Sequence, residues 1–222
     1  MSNGFTDFVD RAQAFYGQLA ANNSKDWFEP RKAEWKRDVE GPAKLLATIM
    51  AEEISRLTGA PHAEKVFRIN RDVRFSKDKS PYKTMLAMLW STGDADDLAP
   101  AFYFGVEPDR TFVGCGTPGF DKDALTRYRA MVDRWGDRLA EEIAAVEARP
   151  GGHLAAIGPD PLKRVPKPYD PDHPHADLLK RKSLALGLPL PDGWREGDGL
   201  VAALTDRFET LLPFRTLLAE RL

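Results

Sequence analysis

The chain has 222 residues and a single cysteine, Cys115. No disulfide can close within it, and no cysteine-rich zinc site can be built. Long apolar runs are also missing. None approaches the roughly 20 residues that span a bilayer. The opening Met1-Ser-Asn-Gly-Phe-Thr-Asp lacks the basic start and apolar stretch of a secretion signal. A thiol-poor chain with neither feature reads as cytoplasmic and not membrane-bound. Strong net charge is absent too: the formal value is −2, which argues against a broad surface for nucleic acid or membrane. Repeats and low-complexity tracts are lacking. What is present is an ordinary globular balance, 42% hydrophobic and 30% charged, enough for a sizeable core. One domain spanning residues 1–222 is the expected organisation.

The small net charge conceals an uneven distribution. Seven Lys and Arg stand against two Asp from Lys65 to Lys83, a net of +5. From Lys163 to Lys182 six basic residues stand against three Asp, a net of +3. The remainder carries −10. Two local positive fields in a nearly neutral protein point to a small anionic ligand.

Hydrophobic spacing sets out the elements. Phe5, Phe8, Val9, Ala12, Phe15, Tyr16 and Leu19 form a helical stripe. Ser24 can cap a second helix through Trp27, Phe28 and Trp35. Leu45, Leu46, Ile49, Met50, Ile54 and Leu57 form a third stripe, with Gly59 as its stop. The period then changes to two. Phe67, Ile69, Val73 and Phe75 alternate with Arg68, Asn70, Asp72, Arg74 and Ser76, the pattern of a half-buried strand. Met85 to Trp90 is a second apolar run. Ala101–Val106 and Thr111–Cys115 flank Glu107-Pro-Asp-Arg110 and read as a hairpin. Asp121 or Asp123 can cap a long helix bearing Leu125, Tyr128, Met131, Val132, Trp135, Leu139, Ile143 and Val146. Residues 157–191 read as a long functional loop. Leu200, Val201, Leu204, Phe208, Leu211 and Leu212 predict a last helix interrupted near Pro213. The fold class is therefore α+β: a central antiparallel sheet of about four or more strands in a meander, packed by amphipathic helices.

Extended residues 67–75 would project Arg68, Asn70, Asp72 and Arg74 from one face, where guanidinium forks can grip a phosphate or carboxylate. Arg71 falls on the apolar parity. It must pair with a carboxylate, face a pocket or mark a bulge, because an unpaired buried charge is very costly. Ser76-Lys-Asp-Lys-Ser-Pro-Tyr-Lys83 adds Lys77, Lys79, Tyr82 and Lys83 as ligand contacts. The bland alternative is a solvated edge strand whose lysines block aggregation.

The run Phe67-Arg-Ile-Asn-Arg-Asp-Val-Arg-Phe-Ser-Lys-Asp-Lys-Ser-Pro-Tyr-Lys-Thr84 closely resembles the signature of a large uncharacterised family of bacterial and fungal proteins. Asn22-Asn-Ser-Lys-Asp-Trp-Phe28, Gly114-Cys-Gly116 and Leu162–Pro174 agree with it, so the resemblance covers nearly the whole chain. Pro168 stands where the pattern expects Gly, and Cys115 interrupts a Gly-rich run. The resemblance implies a fold and a set of residues to watch, and no activity.

In the second basic stretch, Lys163, Arg164 and Lys167 could close over an anion held by the first, with Tyr169 stacking on it. His173 joins them as a ligand contact or as a turn residue capping the helix near Ala176. Two Asp and two His between residues 170 and 175 invite a metal reading, but prolines 171 and 174 stiffen the segment and no known ligand spacing appears. Gly114-Cys-Gly-Thr-Pro-Gly119 matches a dinucleotide-binding pattern. However, its strand is half of an antiparallel hairpin, and Pro118 lacks the amide a phosphate needs. No cofactor or metal is therefore expected, and nothing sets an oligomeric state. Three readings stand: a binding module for a phosphate-bearing or carboxylate ligand; a hydrolytic or phosphoryl-handling enzyme with Asp72, Asp78, Tyr82 or His173 as acid or base; and an interaction protein whose arginines form internal salt bridges.

Overall fold

Amphipathic spacing becomes helix where it is strongest. In the computed structural model, which describes residues 5–93 and 100–222, α1 (Thr6–Ala21) buries Phe8, Val9, Ala12, Phe15, Tyr16 and Leu19. Ser24 caps α2 (Lys25–Phe28), its hydroxyl accepting the Trp27 amide at 3.3 Å. The helix expected through Trp35 is broken into pieces. Pro30 lies in a 3₁₀ turn, Glu29–Arg31, α3 is only Lys32–Trp35, and a π turn over Lys36–Glu40 leads into α4 (Gly41–Thr58). Gly59 ends α4 at φ 72°, a left-handed conformation that glycine adopts without steric cost. Leu45 departs from its stripe and is 58% exposed, while Leu46, Met50 and Ile54 bury.

Strands β1 (Ala63–Val66), β2 (Leu86–Ser91), β3 (Ala101–Val106) and β4 (Thr111–Thr117) form the expected antiparallel meander. Asp121 caps α5 (Lys122–Glu147), its carboxylate accepting the Ala124 amide at 2.7 Å. Then follow β5 (His153–Leu154), α6 (Ala176–Lys180), β6 (Leu184–Leu188) and α7 (Gly199–Arg221). The six strands lie in the order β1-β2-β3-β4-β6-β5, all pairs antiparallel. Strand β6 corrects the reading of residues 157–191 as loop. Its Leu-Ala-Leu-Gly-Leu run is buried at every position and so shows no alternation. Helix α7 continues through Pro213, because Phe208, Leu211, Phe214 and Leu218 bury on both sides of it.

The two faces of the sheet are unlike. Pairing aligns Trp90, Phe102, Cys115 and Leu186 in one cross-strand row and Met88, Phe104, Val113 and Leu188 in the next. Direct partners share a face, and all eight belong to the core that the helix stripes also fill. Trp90 donates its indole N–H to the Ala47 carbonyl of α4 at 2.8 Å. Phe208 of α7 packs 4.7 Å from Phe102 and 5.6 Å from Trp90, ring to ring. The alternate residues, Lys65, Ala87, Leu89, Tyr103, Gly105, Phe112, Gly114 and Gly187, point the other way and lie outside that core. Among the described residues, the helices that pack on the core rows thus cover one face of the sheet.

At the exit of β4, Gly116 has φ 142°, and a Cβ there would sit 2.2 Å from the Leu184 carbonyl oxygen of the neighbouring strand. Gly116→Ala is expected to cost on the order of 2 kcal/mol through backbone strain and a forced separation of β4 from β6. Urea unfolding checks this, and an unchanged midpoint would refute it.

Candidate functional site

The first basic stretch connects β1 to β2, and it is not the long strand its alternation suggested. β1 ends at Val66. Beyond it runs a narrow stem: Phe67 N–H donates to Ala87 O at 3.0 Å, Lys83 N–H to Ile69 O at 2.7 Å, and Arg71 N–H to Pro81 O at 2.9 Å. Asn70 and Tyr82 form the one bridge there. Alternation survives along the stem, with Ile69 buried and Arg68, Asn70, Asp72 and Arg74 exposed. It fails at Phe75, which the sequence pattern placed in the core and which is 96% exposed. The physical reason is turn chemistry: Asp78 accepts both the amide and the hydroxyl of Ser80, at 2.9 and 2.6 Å, and the Ser76 amide donates to Val73 O at 3.3 Å. Local side-chain hydrogen bonds outcompete a strand ladder in such a run.

Arg71, on the inward parity, finds its carboxylate in Asp78, and it also donates to Ser80 O at 3.2 Å and Ser76 Oγ at 3.5 Å. It pins the tip to the stem. The Ser80 hydrogen bonds first, and Arg71 after them, hold the Asp78 carboxyl well below the usual carboxylate range. Arg74 is likewise taken, donating to Asp72 through Nε at 2.9 Å and Nη2 at 2.6 Å, which lowers the Asp72 carboxyl. Lys79 donates to Val73 O at 3.0 Å. Arg71 and Arg74 therefore behave as internal salt-bridge residues. Tyr82 is a core residue: its ring lies 4.3 Å from Phe28, and Asn23 bonds both its amide and its carbonyl, at 3.1 and 2.9 Å.

What remains is a compact group at the foot of the stem. Arg68 and Lys83 have no carboxylate within ion-pair distance among the described residues. The Lys83 ammonium stands 5.2 Å from the centre of the Phe67 ring, and that of Lys65 stands 5.7 Å from it. Burial, then the charges of Arg68 and Lys65, push the Lys83 ammonium below its ordinary range. Lys77 is exposed on the tip, and Asn70 is exposed beside the stem. Phe67 was read as a core residue and Lys65 only as part of the basic run. The sequence signal for both is their placement on the parity opposite Arg68.

The second stretch does not join this group. It lies between β5 and β6, at the far edge of the sheet from β1, about 24 Å away over five strand spacings. It also enters β6 beside Thr117, whereas the first stretch leaves β1 beside the start of β2, at the other end of the strands. Lys163, Arg164 and Lys167 are exposed there, with Leu162 N–H bonded to Lys180 O at 2.8 Å. Tyr169 packs against the core next to α5, its phenol raised by burial and then by Asp133.

His173 lines a cleft of about 450 Å³ with His175 and the kink of α5 at Trp135, between Asp133 and Asp137. Its Nδ1 accepts the His175 amide at 3.0 Å, while Nε2 faces Asp133 at 3.3 Å. Both ring nitrogens of His173 therefore have partners. His175 pairs with Asp137 at 2.8 Å and packs on Gly136, where a Cβ would approach its ring to 2.1 Å. The cleft's carboxylates Asp133, Asp137 and Glu141 offset the charges of Arg134 and Arg138. Among the described residues no group of three or more His, Cys, Asp or Glu could hold a metal ion.

Arg71→Lys keeps the charge and loses the fork. It is expected to speed chymotryptic cleavage after Phe75 about tenfold, the effect of losing roughly 1.4 kcal/mol of local stability. Unchanged cleavage would mean that the tip is held by other contacts.

The model of a family described as conserved hypothetical protein matches residues 11–216. No curated protein matches the chain.

Proposed function

Since the chain belongs to the DUF2461 family of conserved hypothetical proteins, its chemistry has to be read from its own geometry, and we propose that it binds a phosphate-bearing or carboxylate ligand between Arg68 and Lys83, over the Phe67 ring. The carrying observation is the contrast within one loop. Arg71 and Arg74 each have a carboxylate, whereas Arg68 and Lys83 have none among the described residues. Lys83 is half-buried among like charges. That arrangement is unfavourable until an anion enters, and a strained ammonium of this kind is a mark of a binding site. Binding is favoured over catalysis because Asp72 and Asp78 are committed to arginines, Tyr82 lies in the core, and His173 lies at the opposite corner.

Titration calorimetry with pyrophosphate and with succinate tests the reading. The intact protein is expected to bind at least one of them, and Lys83→Met is expected to weaken that binding at least tenfold, the loss of a charge-assisted hydrogen bond. The same substitution should raise the melting temperature of the unliganded protein, because it removes a partly desolvated charge crowded by Arg68 and Lys65. A pH series adds a sign. The lowered Lys83 ammonium loses its proton before an ordinary lysine does, so affinity should begin to fall at a pH below the usual 10.5. Neither anion binding, or Lys83→Met binding as well as the parent, would refute the site.

A further inference from the structure

The sheet face opposite the helix-packed core carries aromatic rings from three different strands beside this cation group. Lys65 pairs with Leu89 and Leu89 with Tyr103, so Lys65 and Tyr103 lie in one row on that face. Phe67 continues β1 by one residue, its amide bonded to Ala87 O, and two-residue periodicity puts its ring on the face of Lys65. Ala87 pairs with Gly105 and Gly105 with Phe112, so Phe67 and Phe112 share the next row. All three rings are half-buried, and none belongs to the core.

Glycines make this surface flat. A Cβ at Gly105 would lie 2.0 Å from Phe112 Cζ, so the Phe112 ring rests directly on that backbone. Gly114 adds no side chain to the same face further along, and the His153 ring lies over Gly187. Tyr103 stays a neutral phenol, its hydroxyl pushed up by burial. From Phe67 to Phe112 is three strand spacings, about 14 Å. Lys83 and Lys65 flank the Phe67 ring at one end, and Arg68 stands beside them.

The net charge of −2 argues against a broad nucleic-acid surface, and no series of aromatics interleaves with the basic residues along the sequence. The fold assembles that series across strands, where the sequence cannot display it. Half-buried aromatic rings on one face of an antiparallel sheet, with cations at the edge, offer π-faces to unstacked bases and charge to the phosphates between them. A small anion would use the cations and leave the rings idle. An acidic peptide of Asp and Glu carries no aromatic ring to stack on them.

We infer that the Phe67–Tyr103–Phe112 face is a stacking platform for single-stranded nucleic acid, holding two or three bases while Arg68 and Lys83 grip the backbone. The inference rests on the anion site proposed above, and Lys83 is common to both.

The test is fluorescence anisotropy of a labelled oligothymidylate with the intact protein. Binding is expected at about 50 mM salt, with a log–log salt slope of about −1.4 for the two phosphate contacts of Arg68 and Lys83. Phe67→Leu and Phe112→Leu, checked as folded by urea unfolding, should each weaken it roughly 5- to 100-fold by removing a stacking ring. Pyrophosphate binding should survive both substitutions, and Lys83→Met should weaken both ligands. Oligothymidylate that fails to bind, binds the Phe67→Leu protein as tightly as the parent, or is displaced equally well by polyglutamate overturns the platform. In those cases binding of pyrophosphate or succinate leaves the anion site standing, and failure of both anions to bind removes both.

Discussion

A guanidinium pointing into a protein must find acceptors, and the way Arg71 meets that requirement shapes everything around it. Asp78, the Ser80 carbonyl and Ser76 Oγ supply them. All three lie in the tip, so satisfying Arg71 folds the tip back onto its own stem. The tip's anions are used up in the process: Asp78 on Arg71 and Asp72 on Arg74. No carboxylate is left in the loop for Arg68 or Lys83. A stretch that counts as uniformly basic in sequence is therefore sorted by one ion pair into residues that build and residues that remain available.

The sheet supplies the second constraint. A helix layer carrying Phe8, Met50, Val132 and Phe208 fills one face with a single core. The other face keeps Gly105, Gly114 and Gly187, which have nothing to contribute to a second core. Two-layer architecture with one face outside the core is a common solution for antiparallel sheets. Here that face carries Phe67, Tyr103 and Phe112 and lies next to Lys65 and Lys83.

The helices α1, α4, α5 and α7, the β3–β4 hairpin, the Ser24 and Asp121 caps and the antiparallel meander were all visible in the sequence, because each depends on spacing within a few residues. The anomaly of Arg71 was visible for the same reason. Strand β6 was not, since a strand buried on both faces shows no alternation. Residues 67–75 misled in the opposite way: the alternation was present, but a stem of only a few bonds followed by a turn produces it as well as a strand does. The pairing of Asp78 with Ser80 decided between them, and Phe75 went outward. For the candidate site, Arg68 and Lys83 were legible as charges, while Phe67 looked like core. The union of the two basic stretches failed because it depends on strand order, which no local pattern encodes.

The diagonal placement of those two stretches has a consequence for valency. A phosphate-sized molecule at Arg68 cannot also touch Lys163, and side chains so far apart without shared neighbours contribute additively. The two basic stretches are thus separate features of the sheet and do not form a clamp. An extended polymer could hold both at once, the second contact then being made at high effective concentration, whereas a small ligand would see only one corner.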